Sequence, residues 1–208
     1  MFDASLRRII DPPLNRLGSR LARMGVTPNQ ITWTGFVIGM LSIPLLAYQL
    51  QWLAFVCILL NRCFDGLDGA VARAVKPDGG SYQTDLGGYL DITLDFLFYS
   101  GAVFGLILYA PEANALAGAF LIYAFIGTGC SFLAFAILAA KRGISTEIRG
   151  KKSIYYLGGL TEGAETIAFL LLACALPQYF AVMAWIFGTL CWMTTAFRIH
   201  AAFDAFRD

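Results

Sequence analysis

Six long apolar segments dominate this chain of 208 residues and limit what it can fold into. Each is long enough to cross the roughly 30 Å hydrocarbon core of a bilayer, which takes about 20 helical residues. The charge content agrees, because only 14% of the residues are charged, whereas a soluble domain carries about a quarter. We therefore predict an all-α membrane protein. The predicted spans are 31–50, 52–74, 84–110, 114–140, 156–176 and 179–203.

Basic residues alternate between the connections of these spans. They precede the first span, follow the second, fourth and sixth, and are absent from the other three connections. The positive-inside rule then predicts that both termini lie in the cytoplasm. The arginine-rich start lacks the apolar stretch of a signal peptide, so none is expected. The basic residues used for this assignment are Arg7, Arg8, Arg16, Arg20, Arg23, Arg73, Lys76, Lys141, Arg142, Arg149, Lys151, Lys152, Arg198 and Arg207, and the remaining one, Arg62, lies inside the second span.

An amphipathic helix is predicted before the first span, starting after Pro13. Leucines and a methionine form one stripe and arginines the other. Such a helix either lies on the anionic inner leaflet or packs against the cytoplasmic ends of the bundle, and the pattern leaves both open. Thr27 is the expected N-cap of the first span, with Pro28 at its first position. The apolar stripe is Leu14, Leu17, Leu21 and Met24, and the basic face is Arg16, Arg20 and Arg23.

Four carboxylates lie at the ends of two adjacent spans. Asp65 and Asp68 are three residues apart near the end of span two, and Asp91 and Asp95 are four apart near the start of span three. Each pair shares one helix face, and the short connection makes the two spans antiparallel neighbours. Four gathered anions are costly unless cations neutralise them. Oxygen ligands alone suit Mg²⁺ or Mn²⁺, and a pair of such ions serves phosphoryl chemistry.

Small residues surround these acids and favour the approach of a ligand. Glycine is costly inside a helix, so its repeated use beside the acids indicates close approach of a ligand or another backbone. Two alternatives remain. The acids pair with Arg62, Arg73 and Lys76, or they mark the ion pathway of a transporter. The small residues are Gly66, Gly69, Ala72, Gly87 and Gly88.

The spacing of these residues resembles a known family. The pattern D-x2-D-G-x2-A-R followed by G-x3-D-x3-D is the signature of the CDP-alcohol phosphotransferases. Here it runs from Asp65 to Arg73 and from Gly87 to Asp95, and every fixed position matches. Six spans with cytoplasmic ends, and the TPNQIT segment before span one, are also similar to the family. The connection 74–86 is longer than usual there, which leaves its contacts open.

The resemblance implies a fold and a set of site residues. The fold is a single membrane domain over residues 1–208, with a juxtamembrane helix in 1–26 and a bundle of six transmembrane helices in 27–208. Two metal ions, Mg²⁺ or Mn²⁺, would be held by the four aspartates, and Asp95 would also take the proton of the attacking hydroxyl. The metal ligands would be Asp65, Asp68, Asp91 and Asp95. The nucleotide would contact Gly69, Ala72, Arg73, Gly87, Asn29 and Thr32, although capping and helix packing explain Asn29 and Thr32 equally well.

The implied reaction is transfer of a phosphatidyl group from CDP-diacylglycerol to a small alcohol, with release of CMP. The enzyme would act in a bacterial inner membrane among membrane lipids, as a homodimer and without a nucleic-acid partner. A soluble CDP-alcohol as donor to a lipid acceptor is the runner-up. An ion-coupled transporter and a non-catalytic scaffold are the other classes considered. A transporter would show repeats or broken spans in corresponding halves, and none is visible.

The acceptor is not identified by the sequence. Glu162 and Glu165, early in span five, either bind a cationic or polyol acceptor or pair with Arg198, His200 or Lys152. A basic rim around residues 141–152 either recruits an anion or only fixes topology.

Glycine pairs and cysteines complete the prediction. Three G-x-x-x-G pairs favour close helix packing, within one chain or between chains. The five cysteines show no metal-type spacing, so we expect buried free thiols. The glycine pairs are Gly35 with Gly39, Gly101 with Gly105, and Gly159 with Gly163, and the cysteines are Cys57, Cys63, Cys130, Cys174 and Cys191.

Overall fold

The computed structural model describes residues 3–74, 82–143 and 159–207, with side chains from residue 12 onward. Over these ranges the chain is helical and contains no β-strand. A single turn of 3-10 helix, Pro177–Tyr179, precedes the last helix. The helices are α1 (Asp3–Arg23), α2 (Pro28–Met40), α3 (Ser42–Ala47), α4 (Gln51–Ala72), α5 (Asp85–Tyr109), α6 (Pro111–Lys141), α7 (Gly163–Ala175) and α8 (Phe180–Phe206).

Within the described ranges, four helical stretches are long and apolar enough to cross a membrane, which supports a multi-pass membrane protein. They are Pro28–Ala47, α5, α6 and Pro177–Phe206. The other two predicted spans fall on α4, whose second half carries charged residues, and on α7, which has 13 residues. The all-α fold is therefore confirmed, and the number of six crossings stays a prediction.

Two predicted helix boundaries can be compared directly with the structure. Thr27 caps α2 as expected, in a reciprocal arrangement with Gln30, and Pro28 occupies the first turn. The fifth predicted span, 156–176, begins later than expected, because residues 159–162 are not helical and α7 starts at Gly163. Glu162 is the N-cap of α7, so the acid predicted inside a span instead marks the helix start.

Glycines let the helices of the bundle approach closely. A Cβ on Gly35 would meet Phe64 of α4, and one on Gly39 would lie 2.9 Å from Asn61 and from the Phe98 ring. A Cβ on Gly105 of α5 would lie 2.9 Å from Leu46 of α3. These G-x-x-x-G positions are thus used for packing within the chain. The buried core around them includes Phe98, Leu106, Leu121, Leu170 and Phe180.

The first helix packs against the end of α4 that carries the aspartates. A Cβ on Gly18 would lie 2.8 Å from Ala70, Leu14 approaches Gly66, and Ala22 is buried. Two residues of the predicted stripe, Leu17 and Met24, do not pack on the bundle and are exposed on the protein surface, so the membrane-facing stripe stays a prediction. The helix also starts before the prolines, since Pro12 and Pro13 lie inside it. Of the two alternatives left open, the contacts show packing on the bundle. The arginine face is exposed, at Arg16, Arg20 and Arg23.

All five cysteines are free thiols, as predicted. Cys174 and Cys191 are buried and Cys57 is partly buried. The prediction of burial is wrong for Cys63 and Cys130, which are exposed on helix surfaces. In a membrane bundle an apolar thiol can face lipid as well as the core, so an apolar run does not identify the side to which it points.

We predict that Gly18→Ala destabilises the protein. The added Cβ would lie 2.8 Å from the carbonyl carbon of Ala70 and 3.0 Å from the amide nitrogen of Val71. Backbone atoms cannot rotate away, so the clash should cost about 1–3 kcal/mol and lower the thermal midpoint of the detergent-purified protein, followed by tryptophan fluorescence.

Gly88→Ala is the matched control for this measurement. It is also a helical glycine-to-alanine change, but a Cβ at Gly88 meets nothing within 4 Å. Its midpoint should stay or rise, because alanine favours helix by up to about 1 kcal/mol over glycine. Equal midpoints for the two variants would contradict close packing of α1 on α4.

Candidate active site

The ends of α4 and α5 form a cleft with all four aspartates in its lining. Asp65 and Asp68 come from the last two turns of α4, and Asp91 and Asp95 from the first three turns of α5. The start of α2 closes one side. The lining residues are Thr32, Gly35, Phe36, Asn61, Arg62, Asp65, Asp68, Asp91, Leu94 and Asp95.

Arg62 lies among these carboxylates and pairs with two of them. Its Nη2 is 2.6 Å from Asp95 Oδ1, and its Nη1 is 3.5 Å from Asp65 Oδ2. The Tyr99 hydroxyl donates to the other oxygen of Asp95 at 2.9 Å. Pairing of the acids with Arg62 was one of the two alternatives to a metal site, and for Asp65 and Asp95 the structure shows it.

Asp68 is the most buried of the four acids, with 7% of its surface exposed. Thr32 of α2 donates its hydroxyl to Oδ2 of Asp68, and the same hydroxyl lies 3.1 Å from the Pro28 carbonyl. This contact ties α2 to the acidic end of α4. Thr32 therefore orients a predicted metal ligand, a role different from the nucleotide contact that the resemblance implies.

Among the described residues that line the cleft, the other predicted nucleotide residues, Asn29, Gly69, Ala72, Arg73 and Gly87, do not appear. Asn29 is close to α5, because a Cβ on Gly87 would be 3.5 Å from its Oδ1. Within 4 Å, a Cβ on Gly69 would meet the side chain of Arg73 and no other described residue. That guanidinium donates to Asn15 of α1 at 3.2 Å. Asp91 is exposed and Ala72 is half-buried.

Two of the small residues near the acids have different explanations. Gly88 faces open space, which agrees with room for a ligand. At Gly66 the structure shows the approach of another helix and not room for a ligand, because a Cβ there would lie 2.9 Å from the Leu14 side chain of α1. Most of the long connection 74–86, including Lys76, falls on residues 75–81, which lie outside the described residues, so its contacts stay open.

The donor set suits a hard divalent cation, because four carboxylates share one cleft and carboxylate oxygens are the ligands that Mg²⁺ and Mn²⁺ prefer. Among the described residues, however, no three acidic, histidine or cysteine side chains form a group that could hold a metal ion. Two of the four carboxylates are instead oriented by hydrogen bonds to neighbouring side chains. Arg62 and Tyr99 hold Asp95, and Thr32 holds Asp68.

The second acidic pair caps a helix. The Gly159 amide donates to Glu162 Oε1 at 3.1 Å, and the Glu162 amide donates to Glu165 Oε2 at 3.2 Å. Both acids thus satisfy backbone donors at the start of α7. His200, one of the alternative partners of these acids, is 80% exposed and lies 3.8 Å from Asp204. The rim residues 144–152 lie outside the described residues.

The sequence analysis did not identify Asn61 and Tyr99 as site residues. Their side chains complete the hydrogen-bond network around Arg62 and Asp95. Asn61 accepts two hydrogen bonds from Arg62, at 2.9 and 2.8 Å. Tyr99 follows Asp95 by four residues, which places both on one face of α5. That spacing was the signal in the sequence that could have identified Tyr99 as a partner of Asp95. A Cβ on Gly163 would lie 3.4 Å from the Tyr99 hydroxyl, so the start of α7 also reaches this network.

Comparison with known proteins adds three findings. The model of the CDP-alcohol phosphatidyltransferase family matches residues 25–200. The inner membrane protein YnjF of Escherichia coli is 53% identical over 98% of this chain and 96% of its own length. An archaetidylinositol phosphate synthase of Pyrococcus horikoshii is 37% identical over 50% of this chain and 53% of its own length.

Solved structures share the fold. The phosphatidylinositol phosphate synthase of Mycobacterium tuberculosis with CDP-DAG bound superposes with a TM-score of 0.66 and 21% identity, covering 91% of this chain and 93% of that one. The same enzyme in complex with manganese and citrate gives a TM-score of 0.69 and 20% identity, covering 90% and 87%. At this identity the likeness concerns the arrangement of helices.

We predict that Thr32→Val destabilises the protein by about 1–3 kcal/mol, since valine keeps the shape of threonine but removes a donor to the buried Asp68 carboxylate. Thr34→Val is the matched control. Thr34 is on the same helix but exposed, and its hydroxyl donates only locally, to the Gln30 carbonyl at 2.7 Å. Thermal midpoints in detergent should fall for the first variant and hardly change for the second. The reverse order would show that Thr32 does not hold Asp68.

Proposed function

Because this chain belongs to the CDP-alcohol phosphatidyltransferase family of enzymes, we propose that it transfers a phosphatidyl group from CDP-diacylglycerol to a small alcohol and releases CMP. One observation carries the proposal. The four aspartates of the two-part motif, Asp65, Asp68, Asp91 and Asp95, line a single cleft between α4 and α5. Acids that paired only for packing would not need to share one cleft with an open side.

The lipid-linked donor is supported by the position of the cleft and by a relative. The cleft lies at the ends of helices in an apolar bundle, so a donor can keep its acyl chains in the bilayer while its diphosphate reaches the aspartates. The solved synthase with this fold has CDP-DAG bound. A soluble CDP-alcohol with a lipid acceptor is tested below as the competing donor.

The metal part of the proposal rests on the donor set. We infer two ions, Mg²⁺ or Mn²⁺, held by Asp65, Asp68, Asp91 and Asp95, and a relative of this fold contains manganese. When bound, such ions neutralise the diphosphate and stabilise the departing CMP. The carboxylates of this chain hold the ions and exclude other anions from the cleft by their own charge.

Asp95 is the proposed general base. The acceptor oxygen attacks the phosphorus that bears diacylglycerol, the bond from this phosphorus to the CMP oxygen breaks, and the proton of the acceptor passes to Asp95. Arg62 and Tyr99 donate to its two oxygens and fix the plane of the carboxylate. Each carboxylate oxygen has a second lone pair, so a site for the proton is left. Proton transfer by a positioned side chain is worth about 10²–10⁴-fold in rate.

The remaining assignments complete the proposal. Gly69, Ala72, Gly87 and Asn29 would make room for the cytidine, Arg73 would meet a phosphate, and Thr32 would hold Asp68 beside it. The six apolar segments would cross the inner membrane with both termini in the cytoplasm, by the charge asymmetry of the connections. We also propose a homodimer, whose interface would use surfaces other than the glycine pairs already packed within the chain.

The donor assay is the first test. Detergent-purified protein should release labelled CMP from CDP-diacylglycerol when Mn²⁺ and the correct alcohol are present, and chelation with EDTA should stop the release. The alcohols to offer are a phosphorylated polyol, a free polyol and an amino alcohol. CDP-choline with diacylglycerol is the parallel arm for the soluble donor. Folded protein that releases no CMP in either arm would refute the proposal. Release from CDP-choline alone would show that the donor is a soluble CDP-alcohol and not CDP-diacylglycerol.

The second test removes the proposed base. Asp95→Asn should lower the turnover number by about 10²–10⁴-fold while binding of CDP-diacylglycerol is retained. Asp204→Asn, which changes an exposed carboxylate on α8, should keep full activity. Thermal midpoints of both variants identify any loss of fold. An active Asp95→Asn enzyme would remove Asp95 from the role of base and leave the reaction itself in place.

A further inference from the structure

Arg62 is a partly buried cation inside the acidic cleft, and it is not part of the aspartate motif. It lies one turn before Asp65 on α4, and its side chain is 17% exposed. The structure places its guanidinium against two of the four carboxylates, at 2.6 Å from Asp95 and 3.5 Å from Asp65. A cleft proposed to bind divalent cations thus already contains a cation of its own.

The position of the guanidinium is fixed by several contacts. Nε and Nη2 donate to Asn61 Oδ1, and Nη1 donates to the Tyr99 hydroxyl at 3.2 Å. The central carbon lies 5.4 Å from the centre of the Phe98 ring and 5.5 Å from that of Tyr99. Asn61 is itself anchored, because its amide donates to the Gly35 carbonyl of α2 at 3.0 Å. A surface arginine that happened to meet an acid would not have this support.

We propose that Arg62 is a built-in counter-cation that competes with divalent ions for the carboxylates of Asp95 and Asp65. The inference rests on the metal site proposed above and adds a residue that sets its affinity. The argument is electrostatic. Four ionised carboxylates attract a divalent ion more strongly than the same four beside a fixed positive charge. The oxygen of Asp95 that accepts from Arg62 is also less available to an ion.

The same cation keeps the cleft folded when no ion is bound. Carboxylates gathered in an apolar bundle repel one another, and leaving them without a counter-charge is strongly destabilising. Arg62 supplies that charge from within α4. Removing it should therefore have two effects of opposite sign, a less stable ion-free protein and a tighter site for the ion.

The test is a Mn²⁺ titration of detergent-purified protein, with free Mn²⁺ measured by electron paramagnetic resonance. Arg62→Gln and Arg62→Met remove the charge, and methionine keeps an apolar side chain beside the Phe98 and Tyr99 rings. Both should bind Mn²⁺ at least about tenfold more tightly than the wild type, from the loss of one nearby positive charge. Arg62→Lys keeps the charge and should stay closer to the wild type. Arg16→Gln, an exposed change of equal charge on α1, should match the wild type.

Thermal midpoints with and without Mn²⁺ provide the second readout. The two neutral variants should melt lower than wild type without Mn²⁺ and should gain more from its addition. The counter-cation role is also supported if a neutral variant is folded only with Mn²⁺ while the wild type is folded with and without it.

Three results would overturn the counter-cation role. The first is that the neutral variants bind Mn²⁺ no more tightly than the wild type. The second is that the neutral variants are unfolded both with and without Mn²⁺, which would make Arg62 a structural residue. The third, absence of Mn²⁺ binding by the wild type as well, would remove the metal site together with it. Normal wild-type binding with no gain in the variants leaves the metal site standing, so the two failures can be told apart.

Discussion

The cost of gathering carboxylates in an apolar bundle is the constraint on which the rest of this structure depends. Asp65, Asp68 and Asp95 are partly or fully removed from solvent, and each has a specific donor or cation. Arg62 and Thr32 supply these partners from α4 and α2. The ion pair between Arg62 and Asp95 therefore also joins α4 to α5, and the hydrogen bond of Thr32 joins α2 to α4. Charge compensation and helix packing are the same set of contacts here.

Small residues make this compensation possible by bringing the helix backbones close together. Asn61 can reach the Gly35 carbonyl because Gly35 has no side chain between α2 and α4. Gly18 lets α1 lie directly on Ala70 of α4, next to the acidic end. Without these approaches the polar side chains would not span the distance between helices, and the carboxylates would be left uncompensated in an apolar surrounding.

Several features could be predicted from the sequence because they depend on local pattern alone. The all-α fold follows from apolar segments of membrane length, and the Thr27 cap follows from its position before Pro28 and Gln30. The four aspartates could be assigned to one cleft because their spacing puts each pair on one helix face. The bundle contacts of α1 could not be predicted from its stripe, since hydrophobicity does not say which apolar side chains pack on protein and which, like Leu17 and Met24, stay on its surface.

By itself the sequence determined the fold class, the family and the four acids, because periodicity and spacing act over a few turns of one helix. Only the tertiary structure decided which partner each acid takes. Asp95 takes Arg62 and Tyr99, Asp68 takes Thr32, and Glu162 and Glu165 take backbone amides at the start of α7. These choices depend on which helices touch and at what rotation, since a hydrogen bond forms only within about 3 Å. Such distances exist only once the bundle has packed.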